Sequence, residues 1–487
     1  IAAYADRCDR PPAGCVAGAR NRPPDSAALY VTADVALGHG RTCGRAQPRV
    51  GRVVRQGSRH DLRTGDSRGR AIAARYAAQH RRRQRPCTST RLSDADGAFL
   101  FTARRHARNP ARHHRARTWT AVIAMREIFE STIERLLGDT VTPEVLRDSE
   151  GGAWPAPVWS AIEESGFAVA AASEAQGGAG ASWADLFVVV RAAGRHNLPL
   201  PLAETLLANA LLGECGLEAI NAPLGIAGGG SVTLQQARVS GTLLDVPWGR
   251  HVGHVVAITA GKEPTLVLLD AADARTTLRL NTAGEPRDDL HFERAACVSC
   301  VPLPTDLQAD ALQLGAAMLR SAQIAGAVQT VLDQTVLYAT ERVQFGKPIG
   351  AFQALQQQIA VLSEHAAAAA VAAECAFSAS LDGAGGFAAL PIAAAKVCSA
   401  EAASFAAAAA HTVHGAIGFT HEHALHHSTR RLWSWRSEFG NATVWAQRLG
   451  AAVCAAGSAG LWPALSAGRL ATLERPAAAV QLQGVAA

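Results

Sequence analysis

From residue 125 to about residue 220, apolar positions recur every three or four residues, which is the spacing of one face of an α-helix. MREIFESTIERLLGD opens the pattern, with Ile128, Ile133, Leu136 and Leu137 on the apolar side. WPAPVWSAIEESGF enters a second helical run through prolines. ASWADLFVVVRAAGRH offers Ser182 as an N-cap with Asp185 at the third helical position, a capping-box arrangement. PLAETLLANALLGECGL is a further apolar-faced helix. Between 222 and 305 the period changes: VSGTLLDVPWG, HVVAIT and PTLVLLD are short, rich in Val, Thr and Leu, and punctuated by Gly, Pro and Asp, which predicts a small β domain. From 306 the helical spacing returns. Leu312, Leu314, Met318, Ile324, Val328, Val331 and Leu332 mark one long helix to Tyr338 or beyond, pairing with others after 351 in a bundle. The expected fold is therefore α+β and mainly α. An N-terminal helical domain (125–221) and a middle β domain (222–305) lead to a C-terminal four-helix-bundle domain (306–487).

Composition separates the first 124 residues from the rest. They contain no Met, Lys or Glu, and 25 Arg against 8 Asp give them a charge of +17, whereas the whole chain of 487 residues carries only +6. RRRQRPC and ARRHARNPARHHRAR could bind nucleic acid through charge alone. Without periodicity or interleaved aromatics, such a stretch is more often disordered. Translation of GC-rich DNA upstream of a start at Met125 is the favoured third reading. Residues 1–124 are thus expected to be a disordered or non-native leader, with no nucleic-acid partner.

The remaining chemistry narrows by exclusion. Six of ten Cys follow Met125 and only Cys297 and Cys300 form a CxxC pair, which is too little for zinc. No basic-then-apolar signal is visible, and no apolar run reaches the roughly 18–20 residues that span a bilayer. A cytoplasmic protein with reduced thiols and no membrane partner is expected. AGGGS at 227–231 lacks the strand–turn–helix context of a dinucleotide loop.

Three motifs carry a resemblance. SEAQGGAG at 173–180, RVQFGKPIGAFQALQQQIA at 342–360 and TVHGAIGFTHEHALHHSTRR at 412–431 resemble, in order and spacing, three signatures of the acyl-CoA dehydrogenase family. The resemblance covers residues 125 to about 450. It implies a flavoprotein with FAD that desaturates an acyl-CoA thioester and passes electrons to an electron-transfer flavoprotein. Such a chain works as a homodimer or tetramer, or as a heteromer with a paralogous subunit. It also implies that Arg342 reaches the pyrophosphate of a flavin in a neighbouring subunit, a bidentate task suited to a guanidinium. Phe345 would pack on that cofactor or on the subunit contact, and Gln344 and Gln353 would offer amides. Gly346 and Pro348 would end one helix and redirect the chain. His414, Gly415 and Gly418 would border the adenine half, the glycines allowing close backbone approach. In the His-rich run 411–427, His414 and His423 match family positions that hold no metal, and no nearby carboxylate set completes a site, so no metal is expected.

The reaction needs a carboxylate base of raised pKa. One position where the family carries it falls on Phe439, with Glu438 one residue early. The other falls on Ala316, 26 residues before Arg342, where no acid stands. Glu438 is therefore the candidate base. The alternative is a non-catalytic subunit that completes the flavin site of a catalytic paralogue. The β segment that lines the flavin ring resembles a shortened form, with Val246, Pro247 and Trp248 expected to face the ring.

Overall fold

The structure is a computed structural model that describes residues 110–261, 263–380 and 386–474. Residues 1–109 of the Arg-rich leader lie outside the described residues. The helical part begins with α1 (Pro110–Thr140), α2 (Pro143–Glu150), α3 (Ala156–Glu164), α4 (Trp183–Arg195) and α5 (Leu202–Glu214). The helix expected from Met125 starts earlier, at Pro110, because no residue between them breaks the run. Thr142 caps α2 by accepting from the Val145 N–H, with Pro143 at the first helical position. The capping box of α4 forms as its sequence predicts. Ser182 accepts from the Asp185 N–H at 3.2 Å and donates its hydroxyl to the Asp185 carboxylate at 2.6 Å.

The sheet follows as β1 (Leu224–Ile226), β2 (Gly229–Gln235), β3 (Arg238–Pro247), β4 (His254–Ile258), β5 (Thr265–Asp270), β6 (Arg275–Thr277) and β7 (Arg287–Pro302). Its order is β1-β4-β5-β7-β3-β2, with β6 alongside β7. β1 and β4 run parallel and the other pairs antiparallel. Alternate residues serve two cores. Val255, Ala257, Val267 and Leu269 turn inward onto Val239, Leu243, Val246 and Phe292. Their neighbours Val256, Leu266 and Leu268 join Leu224 and Ile226 against the helices. Burial on both faces explains why HVVAI and TLVLL read as continuous apolar runs.

The bundle comprises α6 (Ala311–Glu341), α7 (Gln353–Ala379), α8 (Ala389–His414), α9 (Leu425–Trp435), α10 (Ala442–Ala467) and the short α11 (Ala471–Glu474). Every residue of α6 from Leu314 to Val328 is buried, so this helix is the axis of the fold. Two glycines bring α4 and α6 into backbone contact. A Cβ on Gly194 would stand 2.0 Å from the Gln323 carbonyl oxygen, and one on Gly326 would stand 2.0 Å from that of Arg191.

Two expectations change here. Gly346 and Pro348 do not end a helix, because α6 already stops at Glu341. A minimal hairpin follows, β8 (Val343–Gln344) against β9 (Lys347–Pro348). Its turn residues Phe345 and Gly346 have φ of 52° and 79°, the two positive values of a type I′ turn. The membrane expectation also shifts. Gln353–Ala379, Ala389–Phe419 and Ala442–Ala467 are long and apolar enough to cross a bilayer by length and composition, because alanine scores as apolar and charges are sparse.

Candidate functional site

Charges buried in apolar surroundings must be paired, and following the pairs locates the first part of the site. Arg320 lies on the buried stretch of α6. It contacts Gln323 and donates to Glu204 of α5 at 2.8 Å, and its guanidinium lies 2.8 Å from Glu438. Arg287, at the start of β7, donates to Glu438 through Nε at 3.0 Å and Nη2 at 3.2 Å, and to Glu285 at 2.9 Å. Glu285 also accepts from Arg431 at 2.9 Å and from the Trp435 indole at 3.1 Å, both on α9. Asn281 donates to Glu438 at 3.1 Å. Three carboxylates and three guanidiniums thus join the N-terminal helices, the sheet and the bundle.

Glu438 sits in the turn between α9 and α10, where Phe439 and Gly440 take positive φ of 53° and 96°. Its carboxylate borders a cleft of about 990 Å³ open to solvent, shared with Asp245, Arg279, Asn281, Trp433 and Phe439. The base expected there needs a raised pKa. Burial does act to raise it, but Arg287 and Arg320 outweigh burial and, with the Asn281 hydrogen bond, hold Glu438 at about 2. Burial acts to lower the Arg287 pKa, but Glu438 and Glu285 raise it. Glu285 is held below the ordinary carboxylate range: burial opposes this, but Arg431 and Arg287 prevail. Asp245 goes the other way, raised chiefly by burial, and its backbone is strained at φ 51°.

Trp248 is buried beside this network, its ring 4.9 Å from the Arg287 guanidinium. Val246 faces the sheet's own core and Pro247 pairs with Arg287 in the ladder, so neither forms an open lining. Trp435 is fully buried under Arg320, whereas Trp433 reaches the cleft.

The second part lies where α6 turns into α7. Arg342, Gln344, Phe345 and Gln353 are all exposed there, and Phe345 is 90% exposed. Among the described residues the Arg342 guanidinium has no charged or hydrogen-bonding partner. His414 closes α8 and is buried: its ring stacks on Tyr338 at 4.5 Å, Nδ1 meets the Ala410 carbonyl at 2.8 Å, and Nε2 has no partner. Burial pushes its pKa down, so the ring is neutral near pH 7. Gly415 follows with φ 63° and open space around its missing Cβ, while Gly418 is packed against His414 and His411. Val336 and Leu337 near the end of α6, Val343 in the hairpin and Phe419 after Gly418 are exposed apolar residues. In the His-rich run, His426 and His427 approach Glu150 closely enough to share an ion. Arg430 takes up the second Glu150 oxygen at 3.1 Å, which makes this a helix-tying ion pair.

The structure therefore brings Arg342, Gln344, Phe345, Gln353, His414, Gly415 and Gly418 to one region and places Glu438 and Trp248 in another. Sequence reading missed Glu204, Glu285, Arg287, Arg320 and Arg431. A signal existed: Glu204 and Arg320 interrupt apolar helix runs, and a charge there demands an opposite charge.

Comparison with known proteins defines the class. The acyl-CoA dehydrogenase N-terminal domain matches residues 124–240, and the acyl-CoA dehydrogenase C-terminal domain matches residues 308–453. Acyl-CoA dehydrogenase IpdE2 of Mycolicibacterium smegmatis is 30% identical over 313 residues, 62% of this chain and 89% of that protein. Its namesake in Mycobacterium tuberculosis is 31% identical over 309 residues, 62% of this chain and 88% of that protein. The chain belongs to the acyl-CoA dehydrogenase family. Three solved structures share the fold. A Tcur3481-Tcur3483 steroid ACAD variant has a TM-score of 0.61 at 23% identity, covering 68% of this chain and 98% of that one. The ChsE4-ChsE5 complex from Mycobacterium tuberculosis has 0.59 at 22%, covering 67% and 96%. The FAD complex of PigA has 0.57 at 14%, covering 67% and 97%.

Proposed function

We propose that this chain serves FAD-dependent α,β-dehydrogenation of an acyl-CoA thioester as the subunit that completes a neighbour's flavin site, with the proton-abstracting base supplied by that neighbour. One observation carries the reading: Glu438 is clamped between Arg287 and Arg320. A carboxylate held at about 2 is a poor acceptor for the weakly acidic α proton, since an effective base titrates near the working pH.

The two parts of the site differ in their fit to FAD. At the hairpin the fit is good. Arg342 is free to grip a diphosphate in bidentate fashion, and Gln344 and Gln353 offer exposed amides. His414 has a buried Nε2 without a partner, and the backbone at Gly415 is open. Phe345 would lie against the cofactor or the neighbouring chain. Around Trp248 the fit is poor, because Arg287 covers the indole face and is held there by Glu285 and Glu438. When bound, FAD accepts the hydride that leaves the β carbon. This chain's contribution is to bind the diphosphate, orient the cofactor and exclude water from it.

Pairing with a paralogue is supported by the two-component names Tcur3481-Tcur3483 and ChsE4-ChsE5, and the steroid description of the former makes a steroid-derived acyl-CoA the first substrate to try. Electrons would pass to an electron-transfer flavoprotein, in the cytoplasm. A homo-oligomeric dehydrogenase using Glu438 remains the second reading, favoured by the cleft that Glu438 borders. The test is the flavin content of the chain made alone and made together with a paralogous subunit. Colourless protein alone, and a yellow complex that bleaches with acyl-CoA, is the expected result. A yellow chain that bleaches by itself would overturn the proposal.

A further inference from the structure

Lys396 is a fully buried amine that no step above uses. It stands on α8 among Ile392, Ala393, Ser399 and Ala400, all buried. Its Nζ donates to the main-chain carbonyls of Trp435 at 3.0 Å and Arg436 at 3.1 Å. Those are the last carbonyls of α9, which lack helical partners and carry the negative end of the helix dipole. The chain turns there into Ser437–Gly440, and the Phe439 carbonyl accepts from the Trp445 indole of α10 at 3.0 Å. The turn is thus gripped at one end from α8 and at the other from α10.

We propose that Lys396 is the positioning residue of the Ser437–Gly440 turn: its Nζ clasps the end of α9 so that Glu438 projects across the cleft onto Arg287 and Arg320. The charges around it give this grip a proton dependence. Arg320 faces Lys396 from α6 and Glu438 faces it from the turn. Behind them stand Glu204 of α5, Glu285 and Arg287 at the start of β7, and Arg431 of α9. Three arginines already balance three glutamates, so the Lys396 proton is a surplus positive charge. Burial, aided by Arg320, lowers its pKa from 10.5 to about 7. Releasing the turn returns the amine to water, where it holds its proton up to about 10.5, so a proton on Nζ favours release. The turn therefore loosens on the acid side of neutrality and tightens on the alkaline side.

Hydrogen exchange of the full chain, in whichever assembly it is purified, reads this directly as the protection of amides 437–440 relative to an unstructured peptide. In the unaltered chain protection should rise about 3- to 10-fold from pH 6 to pH 8.5, the rise beginning near 7. Lys396→Arg keeps donors but carries a permanent charge, so protection should stay low with no step. Lys396→Met should show low protection at both pH values, while Thr265–Asp270 in the sheet is unchanged. Wild-type protection in Lys396→Met, or a step that persists in Lys396→Arg, would refute the proposal. The arginine variant decides alone if the methionine variant does not fold. Neither flavin nor acyl-CoA enters the measurement, so the result stands apart from the proposed function.

Discussion

Replacing Glu438 by glutamine separates its two candidate roles. As one member of a buried network, Glu438 neutralises Arg287 and Arg320, and its loss leaves two guanidiniums short of a counter-charge. Glu438→Gln should therefore cost about 3 kcal/mol of stability, read as a lowered denaturant midpoint. A catalytic base would instead lose flavin reduction and leave that midpoint in place. Arg342 makes the opposite prediction. It is exposed and contributes little to the isolated fold, so Arg342→Ala should unfold like the unaltered chain. In the assembled oligomer the same change should weaken FAD retention by roughly 10-fold or more, with Arg342→Lys in between, because lysine keeps the charge but loses the planar fork. Unchanged flavin occupancy in Arg342→Ala would remove the cofactor role from the hairpin.

Among the elements, the α4–α6 contact is the least forgiving. Gly326→Ala would drive a methyl group into the Arg191 carbonyl, so the helices must separate. A loss of about 1–3 kcal/mol or more should follow in chemical unfolding. This contact also shows where the sequence was legible. The apolar spacing of α6, the Ser182 capping box and the short strands are local signals, and each formed as read. The close approach of Gly194 and Gly326 depends on two segments meeting in space, which no single window reveals. The hairpin was misread for a related reason: FG between Gln344 and Lys347 resembles a helix stop, and its true shape follows from positive φ at Phe345, a residue that rarely adopts it. The site was half legible. Motifs pointed to Arg342, His414 and Gly415, but the ion pairs that hold Glu438 join residues 287, 320 and 438, far apart in the chain.

For the whole molecule, the network makes stability depend on pH in two windows. Glu438 has a folded pKa of about 2 against 4.5 when unfolded. Its contribution is complete above about pH 4.5 and vanishes as the pH falls through 2, with Glu285 acting in the same direction. Lys396 sheds its proton near 7 in the folded chain and at 10.5 in the unfolded chain, so stability should rise from pH 7 toward 10. Lys396→Met should erase the second rise and leave the first, as measured by denaturant midpoints across the pH range. The hairpin at Phe345–Gly346 has a consequence of its own. An exposed tip carrying an aromatic residue is what a chymotrypsin-like protease cuts first. On the proposed pairing, a subunit without its companion would present that tip and one seated in the oligomer would hide it. Surplus copies should therefore be clipped there and cleared, so that the amount of this chain in a cell is set by the supply of its companion and not by its own synthesis.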